Sequence, residues 1–318
     1  EVLARMRQAY ASDTPVRIAE PDTDPVTLPG TDGRLQWRFR ATNVRDVAFS
    51  LVHRGFWEGA RTPVGDRDGD GQTDYAQINT FWRPTAPRWA NVTRYQQHAI
   101  SYLSRLTGFP YPWPHMTAVE GGGIIGGGME FPMMTLIGDY NAAGDSALYY
   151  VTAHELAHMW IPMIVGPNER RYSWMDEGST TFAENHARTD FFPGTQPRLG
   201  EQESYLMLAR MGAEGEIMRW SDYHYSSFAF GIASYSKPAT LLEALRGLLG
   251  EDVFWRAYRT FIREWAFKHP YPYDLFNTFE RVSGRDLDWF WHAWYFETWT
   301  LDQAVAAVEP VEGGVRIT

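Results

Sequence analysis

His154-Glu155-Leu156-Ala157-His158 is the stretch on which the reading of this chain turns. On a helix, positions i and i+4 lie one above the other on one face. Two imidazoles so placed can reach a single metal ion, at about 2.0–2.1 Å each for Zn²⁺. Glu155 lies beside that face, where its carboxylate can take a proton from water. The plain alternative is a helix with two hydrogen-bonded core histidines, and the sequence on either side has to decide.

Two histidines leave a tetrahedral zinc two ligands short, and catalytic sites draw three ligands from the protein. Eighteen residues separate His158 from Glu177, which lies in Trp174-Met175-Asp176-Glu177-Gly178. A helix predicted over 174–190 can run back past the first and present Glu177, giving a His₂Glu set; its alternative is a solvated acidic first turn. Glu184 follows seven residues later on the same face. A zinc-bound histidine commonly donates its other N–H to a carboxylate, so Glu184 is a candidate acceptor, with a surface glutamate as the alternative. Upstream, Gly127-Gly128-Met129-Glu130 falls on a predicted strand edge. Edge strands take extended peptides by backbone hydrogen bonds, and glycine lets two backbones approach closely. Glu130 would then hold a peptide's α-ammonium; the alternative is a glycine hairpin with an incidental glutamate.

Composition narrows the classes. The 318 residues are 44% hydrophobic, enough for a sizeable core and more than one domain's usual length. The net charge of −10, with no long basic run, speaks against nucleic acid as a partner. No run approaches eighteen apolar residues, so no membrane span is expected. Cysteine is absent, so a metal must be held by His, Asp or Glu. No signal peptide is visible, but the first residue is Glu1 rather than Met, so that absence decides little, and an extracytoplasmic or periplasmic location is favoured over the cytoplasm.

Alternation of Leu35, Trp37, Phe39 and then Val47, Phe49, Leu51 predicts antiparallel strands between Leu35 and Val52, after a loop over 13–33. A strand is predicted over Tyr75–Trp82, and two more over His115–Glu120 and Met129–Ile137, flanking a loop with six glycines. Helices are predicted over 2–10, 90–107, 146–162, 174–190, 197–214, 237–249, 251–267, 272–283 and 286–298. From Leu301 the chain alternates again. This divides it into a remnant of an N-terminal β domain with a connecting hairpin (1–86), a catalytic unit (87–300, α+β to about 145 and helical after) and the start of a C-terminal β segment (301–318).

With these residues in place, the chain resembles the alanyl-aminopeptidase-like gluzincins over roughly 35–300. The resemblance rests on Gly127-Gly128-Met129-Glu130, on His154-Glu155-Leu156-Ala157-His158-Met159-Trp160, on Asp176-Glu177-Gly178 at the family's spacing, and on Tyr235-Ser236-Lys237. It implies an α+β fold of thermolysin-like (zincin) type, in which a small mixed sheet is followed by a mostly helical lobe and preceded by a partial β domain. It implies one zinc held by His154, His158 and Glu177, with Glu155 as general base and proton shuttle. Tyr235 becomes the oxyanion donor, Glu130 the anchor of a free N-terminus, and Glu184 the outer acceptor. The implied activity is zinc-dependent removal of N-terminal residues from peptides. A zinc endopeptidase and a non-catalytic peptide-binding module with a relic site are the competing readings. Two positions depart from the family pattern: Phe131 stands where Asn is common, and Pro238 follows Lys237 where Gly is common.

Asp66, Asp68, Asp70 and Asp74, with Gly71 between, follow the spacing of a calcium loop. Position 12 is Gln77 rather than the usual glutamate. Calcium there is a second metal expectation, against a solvated acidic hairpin turn.

Overall fold

The computed structural model describes residues 1–24, 27–40, 46–300 and 304–318. A helix α1 (Val2–Ala9) precedes strand β1 (Val16–Ala19), and β2 (Phe56–Gly65) and β3 (Asp74–Trp82) form a long hairpin. Helix α2 (Val92–Thr107) crosses back to β4 (His115–Glu120), which is followed by β5 (Gly128–Met129) and β6 (Met134–Ile137). The six strands make one mixed sheet in the order β1-β2-β3-β4-β6-β5. β3, β4 and β6 run parallel, while β5 lies antiparallel on the β6 edge. Helix α2 is fastened to β3 by buried polar groups: Gln96 donates to the Asn79 carbonyl at 2.9 Å, and the Thr80 and Thr93 hydroxyls meet at 2.8 Å. It ends where expected, at Gly108 with φ 66°, a conformation glycine adopts without cost.

The rest is helical: α3 (Asp145–Ala157), α4 (Ser179–Phe191), α5 (Pro197–Arg210), α6 (Ser227–Gly231), α7 (Lys237–Leu249), α8 (Glu251–Trp265), α9 (Pro272–Ser283) and α10 (Asp288–Trp291). Single π-helical turns occupy Trp174–Gly178, Ile232–Ser236 and His292–Phe296. Helix α8 shows how the lobe is specified. Phe254, Ala257, Tyr258, Phe261 and Ile262 recur at helical spacing and are all buried. One core joins sheet and helices, from Ile78 and Met116 through Leu103 and Leu156 to Phe182 and Phe261. A separate hairpin, β7 (Val308–Val311) with β8 (Gly314–Ile317), is exposed along its length.

Several expectations need correction. The boundary at 86/87 does not divide two units, because β1, β2 and β3 belong to the same sheet as β4 and β6. β1 lies within the stretch read as loop, and β2 lacks the clean alternation of a one-sided strand because helices cover it. The strands expected between Leu35 and Val52 are absent among the described residues; 41–45 lie outside them. Leu35, Trp37, Phe39, Val47, Phe49, Leu51 and Val52 are exposed. Alternation makes a strand only when a neighbour pairs its backbone and a second layer covers its apolar face. Neither is present there among the described residues. The start of the tail segment, 301–303, lies outside the described residues.

Candidate functional site

Helix α3 runs between the sheet and α4, so nearly every side chain of its second half is buried. That burial explains why its sequence shows no polar face. His154, Glu155 and His158 lie at its C-terminal end. The π-helical turn Trp174–Gly178 brings Glu177 against them; such turns insert one extra residue and re-aim side chains. A second π-helical turn, Ile232–Ser236, packs against the first, and the hydroxyls of Ser173 and Ser234 meet at 2.7 Å. A Cβ on Gly178 would sit 2.4 Å from Pro238 Cγ and 3.2 Å from the Ser234 carbonyl oxygen. This contact accounts for the glycine at 178. It also brings Tyr235 into the site, where its hydroxyl donates to Glu177 Oε1 at 2.6 Å.

The ligand set expected from sequence converges. Nε2 of His154 and Nε2 of His158 lie 3.2 and 3.3 Å from Glu177 Oε2. On its other side, His158 Nδ1 lies 3.1 Å from the Ile161 carbonyl oxygen and 2.7 Å from Asp176 Oδ1. A carbonyl only accepts, so Nδ1 carries the proton and Nε2 turns a lone pair toward a carboxylate oxygen. Two lone pairs at that distance call for a cation or a proton between them. Bonds of about 2.05 Å in tetrahedral geometry separate two ligands by about 3.3–3.4 Å. The spacing and the N₂O donor set therefore fit zinc.

Electrostatics follow from burial and from these contacts. Burial pushes the Glu155 carboxyl up to about 8, with His158 pulling the other way. Burial also favours the neutral form of His154, against the pull of Glu177. For Glu177, burial is outweighed by its close contacts with the two histidines, which hold it well below the ordinary carboxylate range. Burial would lower His158, but Asp176 and Glu177 outweigh it and raise it well above the usual value. Asp176 is raised to about 7 by burial despite His158. Tyr235 is raised by burial and then by Glu177, so its hydroxyl stays a donor.

β5 is the free edge of the sheet, as the glycine-rich sequence suggested. A Cβ on Gly128 would lie 2.3 Å from Glu155 Oε1, so only glycine lets this strand pass the base. Gly127 has φ 81°, and Met129 is half-buried on the strand. Glu130 follows, with a carboxylate oxygen within 4.8 Å of donor atoms of Glu155 and His158. Glu184 is fully buried rather than on the surface, but it is not the acceptor expected. Both its oxygens lack hydrogen bonds, and the histidine partner is Asp176. Asp176 was missed because an acid beside a metal ligand looks like part of the same acidic turn; only the fold shows it facing the far nitrogen of His158.

The acidic loop is the turn between β2 and β3. Carboxylate oxygens of Asp66, Asp68 and Asp70 lie within 4.8 Å of one another, but Asp74 is not among them. Asp66 accepts from the amides of Gly69 and Gly71, and Asp74 from that of Arg67. These bonds also make a well-closed hairpin turn.

Residues 93–294 match the Peptidase family M1 domain. Aminopeptidase M1-D of Oryza sativa subsp. japonica is 29% identical over 214 residues, 63% of this chain and 24% of that protein. Probable aminopeptidase 1 of Sulfurisphaera tokodaii is 24% identical over 211 residues, 61% of this chain and 26% of that protein. The chain thus spans about a quarter of these relatives' length. Among solved structures, the M1 zinc metallopeptidase of Deinococcus radiodurans superposes with a TM-score of 0.58 at 18% identity, covering 77% of this chain and 53% of that one. A second structure of that protein is described as an E323A mutant bound to a Tyr-Ser-Ala substrate, with a TM-score of 0.55 at 17% identity.

Proposed function

Because this chain belongs to the M1 peptidase family, we propose that it is a zinc aminopeptidase with a thermolysin-like site, removing N-terminal residues from peptides. The observation that carries the reading is the cradle in which His154 Nε2 and His158 Nε2 face Glu177 Oε2 at 3.2 and 3.3 Å. Bound there, zinc would polarise a carbonyl and make water a better nucleophile near neutral pH. The protein's own groups supply the rest. A peptide extends along the open edge of β5, beside Gly128 and Met129. Glu130 accepts hydrogen bonds from its α-ammonium, which fixes the cut one residue in. Glu155 removes a proton from the attacking water and returns it to the leaving amine. Tyr235, swung from Glu177 toward the substrate, donates to the developing oxyanion; one such donor is worth about 2.7–4 kcal/mol. Asp176 keeps the His158 ring in the tautomer that leaves Nε2 unprotonated.

Glu155→Gln tests this reading. The variant should hold one zinc per chain, read by atomic emission, while turnover of aminoacyl-peptides falls about 10²–10⁴-fold. The parent protein should cleave free-amine peptides and spare their N-acetyl forms. Normal turnover in zinc-loaded Glu155→Gln would sink the catalytic assignment. Equal cleavage of blocked and free peptides would favour the endopeptidase reading.

A further inference from the structure

The site is acidic almost throughout, with Glu130, Glu155, Asp176 and Glu177 around two histidines. One cation stands at its margin. Arg188, on α4, is half-buried and holds its Cζ 5.4 Å from the centroid of the Tyr150 ring. The other neighbour of that ring is His154, at 6.1 Å between centroids. The guanidinium makes a single 3.3 Å bond to Ser146 Oγ, and its Nε is buried without a partner. Glu184, one turn earlier on α4, is its acidic neighbour, and Glu201, on α5, lies near Glu184 and Tyr150. Among the described residues neither forms an ion pair with Arg188 within 4.0 Å, nor does any other carboxylate. A guanidinium is a preformed fork for a carboxylate. This one is oriented by a ring and a hydroxyl and makes no direct ion pair among the described residues.

Position gives it meaning. Along α3 the order is Ser146, Tyr150, His154, His158. Glu130 gathers with His158, Glu155 and Asp176 at the C-terminal end. Tyr150 and Arg188 lie beyond His154 toward the N-terminal end. A line from the amine anchor to the guanidinium therefore crosses the metal cradle. We infer that Arg188, supported by Tyr150, binds the C-terminal carboxylate of short peptide substrates. The inference rests on the aminopeptidase reading for the direction in which the peptide lies. An extended chain advances about 3.3–3.6 Å per residue. The two steps, 6.1 Å from His154 to the Tyr150 ring and 5.4 Å from there to Arg188, thus span at most about three residues past the scissile carbonyl. The substrates are tripeptides and tetrapeptides with free acids at their ends. Tyr150 lies under the residues between.

Calorimetry on zinc-loaded Glu155→Gln, which binds without turnover, tests this with trialanine, trialanine amide and N-acetyl-trialanine. A hydrogen bond to a charged group is worth about 1.5–3 kcal/mol, so the acid should bind about 10-fold or more tightly than the amide. Adding Arg188→Gln should bring the ratio to about one, while Arg188→Lys keeps part of it. Equal binding of acid and amide, no binding of the acid at millimolar concentration, or a ratio unchanged by Arg188→Gln would overturn the inference. The acetylated peptide reports separately on Glu130. Loss of amine discrimination with the acid-to-amide ratio intact would remove the aminopeptidase reading and leave the carboxylate site standing.

Discussion

The carboxylate of Glu177 is engaged by His154, His158 and Tyr235 at once, whereas Phe39 and Phe49, on a stretch of equally regular hydrophobic spacing, are 85% and 75% exposed. Both regions carry strong local patterns. What separates them is whether other parts of the chain arrive to meet the pattern. At the centre, two π-helical turns, an edge strand and a buried helix converge, so each side chain is held by several others. In the front segment the apolar side chains among the described residues have no second layer. Substitutions should therefore cost much where elements converge and little where they do not.

The most severe test of that contrast is Lys237. Its side chain is 1% exposed, its ammonium donates to Glu214, and it lies 5.4 Å from the Tyr205 ring. It sits two residues after Tyr235, at the start of α7. Removing one member of a buried pair leaves the other charge without compensation, at about 3–5 kcal/mol. Lys237→Met should lose that much in urea unfolding, and a joint Glu214→Leu should recover part of it. A loss under 1 kcal/mol would show that the centre is less tightly determined than its contacts imply. Gly178→Ala comes next. The new Cβ would meet a proline ring and a backbone carbonyl, neither of which can turn away. Overpacking of this kind costs about 1–3 kcal/mol. It should also part Tyr235 from Glu177, lowering kcat more than it raises KM.

The same contrast explains what the sequence revealed. His154, His158 and Glu177 were legible because their spacing on two helices is itself the geometry of the site. β4, from His115 to Glu120, was legible to the residue because it lies in the sheet with neighbours on both sides. β2 was not, since a covered strand loses its alternation. The pattern over 35–52 misled for the converse reason: it describes a strand that needs partners. Tyr235 was reachable only through the resemblance, because one tyrosine among 17 carries no local signal. Asp176 and Arg188 escaped notice because their roles depend on which way a helix turns once packed.

A milder test uses pH. Glu120, at the end of β4, accepts two 2.7 Å bonds from Arg83 and one of 2.7 Å from the Gly122 amide. Burial works against the charged form, but these contacts outweigh it and lower its pKa. A carboxylate lowered on folding adds stability above its unfolded value, near 4.3. That stability disappears as pH falls through the folded value. Arg83 is partly exposed, so solvent screening reduces the effect to about 1 kcal/mol. Arg83→Ala should thus be less stable than the parent at pH 6 and approach it below pH 4. A constant gap across that range would show that the arginine acts by packing.

The smallest expected effect bears most directly on the comparison. Phe39→Ser and Phe49→Ser remove large rings, yet exposed positions away from special contacts usually stay within about 0.5 kcal/mol. Phe182→Ala, at a ring that is 1% exposed between α4 and α8, is the matched control and should cost about 3–5 kcal/mol. Urea unfolding of the three variants sets the two regions on one scale. If the front substitutions cost 2 kcal/mol or more, those rings are covered in solution, and the difference between centre and front is one of partner rather than of packing. If they cost nothing, an alternating sequence can stay unpaired in a chain whose neighbouring residues form a six-stranded sheet.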